Sequence, residues 1–385
     1  MARPRLRARA PLRISFAGGG TDVPPFPTQE GGCVLSATID RFAYGSLNPR
    51  FDRLVNIESV DFKTTADMSL DEEIVYDGHL DLIKAAVRRF GRENTSGYDL
   101  VLRSNAPPGS GLGASSTMMV ALTGLLARHY GIDLKDYATA HLAHGIERED
   151  LGIAGGMQDH YAATFGGFNF IEFTDRVIVN PLRIREEISH ELELSLLLCF
   201  TGITRDSALV IEDQTSRAMS QSTETMEGLR AQKELALAMK EALLTGALHE
   251  FGSLLGEAWI QKKRMSPFIT NSRIDDLYDT AVRKGALGGK ITGAGGGGYI
   301  LLFCDFAKKH RVIEALELAG AGITEFTFSD RGVMTWTALW KVLANTMLSR
   351  LPRISCGSAW HPQSRSRRRL RREATPRRWW RSRRP

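Results

Sequence analysis

Cysteines and long apolar segments are both scarce in this sequence. Its 385 residues include four cysteines, which lie far apart and show no metal-ligand spacing: Cys33, Cys199, Cys304 and Cys356. So few cysteines in so long a chain indicate ordinary thiols in a reducing compartment. No apolar run approaches the length of a membrane span, and the basic start MARPRLRARAPLR contains neither an apolar signal region nor a cleavage site. We therefore expect a cytoplasmic protein that does not enter a membrane.

Excess positive charge is absent from most of the chain, although the formal net charge is +6. Residues 338–385 hold thirteen arginines and Lys341 against Glu373 alone, which gives this segment a net charge of +13. The remaining 337 residues therefore carry +6 minus +13, or −7. This body is therefore mildly acidic, and nothing in it resembles a nucleic-acid module.

The arginine-rich tail, residues 338–385, also contains four of the six tryptophans. Clustered arginine with tryptophan suits phosphate contact and base stacking, so an arm for nucleic acid or anionic lipid is one interpretation. The other is an accidental extension, such as out-of-frame translation. The composition changes abruptly where the preceding domain is complete, which favours the second interpretation. We therefore expect a disordered or non-native tail and no nucleic-acid partner.

The rest of the chain has the composition of a globular protein, with 43% hydrophobic and 24% charged residues over the whole sequence. Strand patterns at residues 12–17 and 31–62 make the first part β-rich, and a helix is predicted at 81–90. After Pro181 the pattern changes to long helices over 207–262, followed by a strand, a helix and a strand around a glycine run. We predict an α+β fold with a domain boundary near Pro181.

Residues 105–117, NAPPGSGLGASST, predict a loop that leads into a helix. The prolines prevent an earlier helix start, the glycines free the backbone, and an apolar-patterned helix follows at 118–130. Backbone N–H groups and the helix dipole at such a place suit a polyanion such as a triphosphate. The hydroxyl of Ser115 or Ser116 could hold Mg²⁺. A glycine turn capped by serine is the alternative.

Two further glycine loops lie beside predicted strands, GGGTD at residues 18–22 and GGKITGAGGGG at 288–298. A single polyanion site that is lined by backbone groups on several sides would account for all three loops. GKIT lacks the earlier glycine and the following serine or threonine of a P-loop. The glycines at 109–113 do not have the dinucleotide-binding spacing either. The three loops together therefore favour a phosphate site of another kind.

A cluster of acids closes the helix predicted over residues 134–150. Glu147, Glu149 and Asp150 lie near its C-terminus, where negative charge opposes the helix macrodipole. A bound cation would offset this unfavourable charge, whereas solvated surface acids would need no functional explanation. The pattern alone leaves both interpretations open.

Four segments resemble, in order and spacing, the motifs of the GHMP family of small-molecule kinases: APLR at 10–13, GGGTD, PPGSGLGASS and GKITGAGGGG. The resemblance covers residues 10–336. Within the family, IEREDLGIAGGMQDHYAATFGGFNF and RVIVNPLRI are similar to heptose 7-phosphate kinases. The resemblance implies a ribosomal-S5-domain-2-like N-terminal domain at 10–181 and a ferredoxin-like C-terminal domain at 182–337. Residues 1–9 have no counterpart, and we expect a flexible arm there.

The resemblance also implies roles for individual residues. Asp159 would take the proton of the substrate hydroxyl, and Arg13 would stabilise phosphoryl charge. Ser115 and Glu147 would hold Mg²⁺. The residues implied to bind ATP are Pro108, Gly109, Ser110, Gly111, Leu112, Gly113, Ala114, Ser115 and Ser116. Those implied to contact the substrate are Gly19, Gly20, Thr21, Asp22, Gly293, Ala294, Gly295 and Gly296.

The implied reaction is transfer of phosphate from ATP to the anomeric hydroxyl of D-glycero-D-manno-heptose 7-phosphate, in the synthesis of nucleotide-activated heptose for surface glycans. The partners would be ATP and the sugar phosphate, and a homodimer stays open. The substrate's own phosphate needs a cationic pocket, for which Arg183, Arg185 and Arg205 are candidates. One alternative is a kinase for an unphosphorylated sugar such as fucose or galactose. Another is a non-catalytic regulator that binds nucleic acid through the tail.

Overall fold

A computed structural model of the chain describes residues 4–91, 95–204 and 207–338. The arginine-rich tail after Ala338 and Arg205 lie outside the described residues, and so do the predictions made for them. Among the described residues, no helix combines the length and apolarity needed to cross a membrane.

Twelve strands form two sheets in the described part of the chain. The strands are β1 (Arg5–Ala17), β2 (Gly32–Pro49), β3 (Leu54–Ser59), β4 (Thr64–Ser69), β5 (Tyr98–Ser104), β6 (Phe168–Phe173), β7 (Val177–Pro181), β8 (Leu196–Phe200), β9 (Ala286–Ile291), β10 (Tyr299–Cys304), β11 (Gly322–Thr324) and β12 (Met334–Ala338). The first sheet has the order β12-β1-β2-β5-β3-β4, and β6 and β7 extend it from the other half of β2. The second sheet has the order β11-β8-β10-β9.

Eleven α-helices accompany the sheets over the same described ranges. They are α1 (Phe26–Glu30), α2 (Asp81–Phe90), α3 (Ala114–His129), α4 (Asp136–Gly145), α5 (Gln158–Phe165), α6 (Glu186–Ser195), α7 (Ser207–Met219), α8 (Thr223–Thr245), α9 (Leu248–Lys263), α10 (Ser272–Lys284) and α11 (Phe306–Leu318). A π-helical turn, Ile146–Asp150, continues α4. The helix predicted over residues 134–150 is therefore α-helical only in its first part.

β1 and β2 are long strands that bring the site residues of the first sheet into position. Leu12, Ile14 and Phe16 on β1 are fully buried, as the alternating sequence LRISFA predicts for one face of a sheet. The pairing of β1 with β2 shifts register between Pro11 and Arg13 and again between Ser15 and Ala17. Such bulges redirect side chains, and they leave Arg13 and Ser15 on the wall of the cavity described below.

The prediction of a flexible arm over residues 1–9 is wrong for residues 5–9, which form the start of β1. Leu6 and Ala8 are buried, while the arginines that alternate with them, Arg5, Arg7 and Arg9, are more accessible. The segment RLRAR therefore alternates as a strand with one buried face does. β12 also pairs with this segment, from Arg5 opposite Ala338 to Arg9 opposite Met334. A strand more than 300 residues away thus orders residues that look like a basic arm in the sequence.

The two sheets share one apolar core. Phe16 on β1 packs edge-on against Phe251 on α9, with ring centroids 5.2 Å apart. Leu198 on β8 and Leu301 on β10 belong to the same cluster. The predicted boundary near Pro181 coincides with the end of β7, the last strand before the chain enters the second sheet. The domain boundary stays a prediction. β12 lies after Pro181 in the chain but pairs with β1 of the first sheet.

Candidate active site

A cavity of about 560 Å³ opens where the three glycine loops meet. This volume lies within the range of small-molecule sites. The structure brings most of the predicted site residues to its wall: Arg13, Gly19, Gly20, Asp22, Pro108, Gly109, Ser110, Gly111, Gly113, Ala114, Ser115, Ser116, Glu147, Asp159, Gly293 and Ala294.

The first wall is the loop that leads into α3. This helix begins at Ala114, four residues before the predicted start, so Ser115 and Ser116 lie in its first turn. Ser110 lines the cavity, and its hydroxyl is buried and has no hydrogen-bond partner among the described residues. A buried polar atom without a partner is unfavourable, and an acceptor such as a phosphate oxygen would satisfy it. The wall therefore fits an anionic group.

The glycine loop at residues 105–117 and the one at 288–298 touch each other through their backbones. Gly111 and Gly293 both have positive φ, +80° and +61°, which disfavours a side chain at either position. A Cβ on Gly293 would lie 2.6 Å from the Gly111 Cα, closer than any side chain allows. The two loops can approach this closely only because both residues are glycine.

Arg13 and Asp159 form a buried ion pair at the centre of the cavity wall. Arg13 Nε and Nη2 both donate to Asp159 Oδ1, at 2.7 and 2.6 Å, while Nη1 donates to the Gly111 carbonyl at 2.7 Å. Their side chains are 4% and 17% exposed. Asp159 Oδ2 has no hydrogen-bond donor among the described residues and lies beside Gly113. This oxygen is therefore available to an incoming hydroxyl group.

Glu147 lies in the π-helical turn, where it is almost fully buried. Ser115 donates to its Oε1 at 2.9 Å, and Ser116 donates to its Oε2 at 2.7 Å. His160 Nε2 lies 2.7 Å from Oε2, and Arg148 Nη2 lies 3.5 Å away. Burial raises the pKa of Glu147, but His160, Arg148 and the Ser116 hydroxyl outweigh burial and hold it below its ordinary value. The carboxylate is therefore ionised at neutral pH.

The donor set around Glu147 fits a hard divalent cation. An ionised carboxylate and a serine hydroxyl, both on the cavity wall, are the oxygen ligands that Mg²⁺ prefers. Ser115 is exposed to the cavity, whereas Ser116 is buried and also lies 3.4 Å from Arg148 Nη2. Of the two hydroxyls, that of Ser115 is the more accessible to a metal ion.

Asp22 closes the opposite side of the cavity. Its Oδ2 accepts the backbone N–H of Gln158 at 3.0 Å, and its Oδ1 accepts from the Gln158 side chain and from the Gly20 backbone at 3.0 and 3.1 Å. Burial raises the pKa of Asp22, and the nearby charge of Asp159 adds to the rise, against the lowering effect of the backbone hydrogen bonds. Asp22 can accept hydrogen bonds from a polar ligand at this end.

The structure places four predicted contact residues away from the cavity wall. The Thr21 hydroxyl is buried between the Gly18 and Cys33 carbonyls, so it closes its own loop. Leu112 packs in the core. Gly295 and Gly296 pack beside Ile269, whose carbonyl accepts the Gly296 N–H at 2.8 Å. These residues shape the loops, and direct ligand contact by them stays a prediction.

Of the arginines predicted to bind the substrate phosphate, neither of the two that the structure describes lines this cavity. Arg183 lines a different cavity, and Arg185 lies near Gly246. Conversely, sequence reasoning missed Arg148, Gln158 and Lys262, which line the central cavity. Arg148 stands beside Glu147 in the acidic cluster, which is a usable signal. Lys262, near the end of a long helix, carries no such signal.

Comparisons with known proteins identify families, sequences and structures to which the chain is similar. The sequence profile for the GHMP kinases N terminal domain matches residues 81–167, and that for the GHMP kinases C terminal domain matches 239–322. The chain is 39% identical to D-glycero-alpha-D-manno-heptose 7-phosphate kinase of Campylobacter jejuni, covering 86% of this chain and 98% of that protein. A crystal structure described as a D-glycero-D-manno-heptose 1-phosphate kinase from Bacteroides thetaiotaomicron superposes with a TM-score of 0.74 at 34% identity, covering 87% and 99% of the two chains. A bifunctional fucokinase/GDP-fucose pyrophosphorylase of Arabidopsis thaliana is 28% identical over 79% of this chain and 30% of its own length.

Proposed function

Because the chain belongs to the GHMP kinase family and is an ATP-dependent sugar kinase, we propose that it phosphorylates the anomeric hydroxyl of D-glycero-D-manno-heptose 7-phosphate. The carrying observation is the Arg13–Asp159 pair on the cavity wall beside the loop at residues 105–117, with no hydrogen-bond donor to Asp159 Oδ2 among the described residues. The choice of sugar rests on the 39% identity to a heptose 7-phosphate kinase, against 28% to a fucokinase. The product would be a 1,7-bisphosphate.

In the proposed mechanism the sugar hydroxyl attacks the γ-phosphorus of ATP, and the bond to the β,γ-bridging oxygen breaks to release ADP. Asp159 Oδ2 accepts the hydroxyl proton, while Arg13 fixes Oδ1 and places positive charge beside the transferring group. The loop at residues 109–116 binds the triphosphate through backbone N–H groups and the Ser110 hydroxyl. Phosphoryl transfer asks mainly for such positioning and charge stabilisation.

We propose that Ser115 and Glu147 would hold Mg²⁺, which neutralises phosphate charge when bound. His160 and Ser116 orient the Glu147 carboxylate from behind.

The free thiols of Cys33, Cys199 and Cys304 are buried, which agrees with a reducing, cytoplasmic setting. A homodimer stays a prediction.

Replacing Glu147 with glutamine should raise the Mg²⁺ concentration needed for half-maximal rate by about 10- to 100-fold, as weakened metal sites commonly do. The amide keeps the size of the side chain but removes the charge that attracts the cation. The measurement is initial rate against Mg²⁺ concentration at saturating ATP. Glu149→Gln, two residues away on an exposed position, serves as the matched control. An unchanged Mg²⁺ requirement in Glu147→Gln would exclude Glu147 from the metal site.

The proposed reaction is tested by ADP release with D-glycero-D-manno-heptose 7-phosphate, with the unphosphorylated heptose, and with fucose and galactose. We expect turnover of the sugar phosphate at the highest kcat/KM. A chain ended after Ala338, the last residue of β12, should be equally active because every cavity residue precedes it. If only fucose or galactose reacts, the choice of substrate is wrong. If neither form phosphorylates any sugar and the intact chain binds DNA with steep salt dependence, the regulator hypothesis replaces it.

A further inference from the structure

We propose that Lys262 binds the phosphate group that the sugar substrate already carries, and so selects a phosphorylated over an unphosphorylated acceptor. This inference rests on the proposed function, because it names the residue that makes the kinase specific for a phosphorylated sugar. Lys262 lies in the last turn of α9, is 3% exposed and lines the central cavity.

Lys262 is the cation in the cavity that lacks an acidic partner. Within the described residues, three cationic side chains line the cavity: Arg13, Arg148 and Lys262. Arg13 pairs with Asp159, and Arg148 lies against Glu147. In the same part of the chain, Lys262 Nζ has no carboxylate within ion-pair distance. Its hydrogen-bond acceptor is the Gly293 carbonyl, which leaves N–H donors for a ligand. Because a buried, unpaired charge is costly, this arrangement indicates an anion in the occupied site.

The position of Lys262 assigns that anion to the acceptor side of the cavity. Glu147, Ser115 and Ser116 form the metal side, on α3 and the π-helical turn. Lys262 instead donates to the Gly293 carbonyl in the loop at residues 288–298, and its charge interacts with those of Arg13 and Asp22. The neighbouring Met265 packs against Gly20 of the GGGTD loop, and Gln214 on α7 donates to the Gly20 carbonyl at 3.4 Å. The acceptor side is thus closed by the helices after residue 206.

Charge complementarity then favours the substrate's own phosphate as the occupant. A sugar phosphate brings a dianionic group that needs a cation, and neither Arg183 nor Arg185 lines this cavity. Lys290, buried nearby, donates to the Ser15 carbonyl at 3.0 Å and does not line the cavity. An unphosphorylated sugar would leave Lys262 unsatisfied, which penalises the wrong acceptor.

Proton uptake gives this contact a distinctive signature. Burial lowers the pKa of Lys262 to about 8, with a further lowering by Arg13 and an opposing effect of Asp22. Burial also lowers the pKa of Lys290, which lies nearby. At a pH near 9 most of the free protein therefore carries a neutral Lys262. A bound phosphate dianion favours the ammonium form, so binding should take up a proton from solution.

The test is calorimetric titration of wild type, Lys262→Met and the matched control Lys263→Met with D-glycero-D-manno-heptose 7-phosphate and with the unphosphorylated heptose. Lys263 is partly exposed, lies over the Trp259 ring and is absent from the cavity wall. Titrations near pH 9 in two buffers of different ionisation enthalpy report proton uptake. Affinity for Mg·ATP is measured in parallel, and thermal unfolding confirms that each variant is folded.

We expect Lys262→Met to bind the sugar phosphate about 10- to 100-fold more weakly, as loss of a charge-assisted hydrogen bond predicts. Binding of the unphosphorylated heptose and of Mg·ATP should stay within about twofold, and proton uptake should disappear. Lys263→Met should match wild type. An unchanged sugar-phosphate affinity, equal losses with both sugars, or a loss confined to Mg·ATP would each overturn the assignment. If wild type itself binds no sugar phosphate, the proposed function fails and the role of Lys262 fails with it.

Discussion

Asp159→Asn should lower kcat by about 10² to 10⁴, the usual contribution of a positioned general base, while KM for ATP and for the sugar phosphate changes little. The amide can still accept hydrogen bonds from Arg13, so the local geometry should survive. It cannot take the proton of the attacking hydroxyl in place of Oδ2, the carboxylate oxygen that has no hydrogen-bond donor among the described residues. Steady-state kinetics with both substrates varied would measure the effect.

The control for this prediction is Asp175→Asn, a change to an acid on the turn between β6 and β7, which should leave the rate unchanged. Far-ultraviolet circular dichroism would show whether both variants keep the wild-type secondary structure. A turnover of Asp159→Asn within tenfold of wild type would mean that positioning alone carries the reaction and that no aspartate base is needed.

Arg13→Met should lower kcat by about 10² to 10³, because the transferring group loses the cation beside it. It should also destabilise the fold, by up to about 3 to 5 kcal/mol, since Asp159 would keep a largely buried charge without a partner. Arg13→Lys should recover part of the rate. A lysine cannot hold the Asp159 carboxylate through two donors while a third reaches the Gly111 carbonyl.

A double-variant cycle separates the two effects of Arg13. In Arg13→Met with Asp159→Asn the unpaired charge is gone, so much of the stability lost in Arg13→Met should return, while the rate stays low. Chemical denaturation gives the stability, and ADP release gives the rate. If the losses of stability simply add, the ion pair contributes nothing to the fold, and the charge argument for Arg13 fails.

The phosphate-binding half of the site was readable from the sequence because its requirements are local. Residues 105–117 form a glycine loop and a helix start through backbone chemistry that neighbouring residues alone dictate. The acidic residues of the site lie beside glycines or in an acidic cluster, and a charge in such a context indicates a functional role. These residues are Asp22, Glu147 and Asp159. All three reach the cavity, although the π-helical turn that carries Glu147 has no sequence signature that we recognised.

The acceptor half was less readable because its residues meet only through tertiary packing. Lys262 lies on α9 in the run WIQKKR, where nothing separates the buried lysine from the exposed one that follows. Arg183 and Arg185 follow the first sheet closely, yet the chain directs them elsewhere. Thr21 belongs to a matching motif, but its hydroxyl is used within the loop. Motif matching finds a loop and cannot say which of its side chains face the ligand.

The pairing of Arg5 with Ala338 has a consequence for synthesis of the protein on the ribosome. One edge of β1 is unpaired until β12 has been synthesised, 338 minus 5, or 333, residues later. At about 5 to 20 residues per second, this edge stays open for roughly 17 to 67 s. An open strand edge can pair with another chain, and arginines at alternate positions reduce that risk through charge repulsion. The basic start of the sequence thus protects the nascent sheet until its last strand arrives.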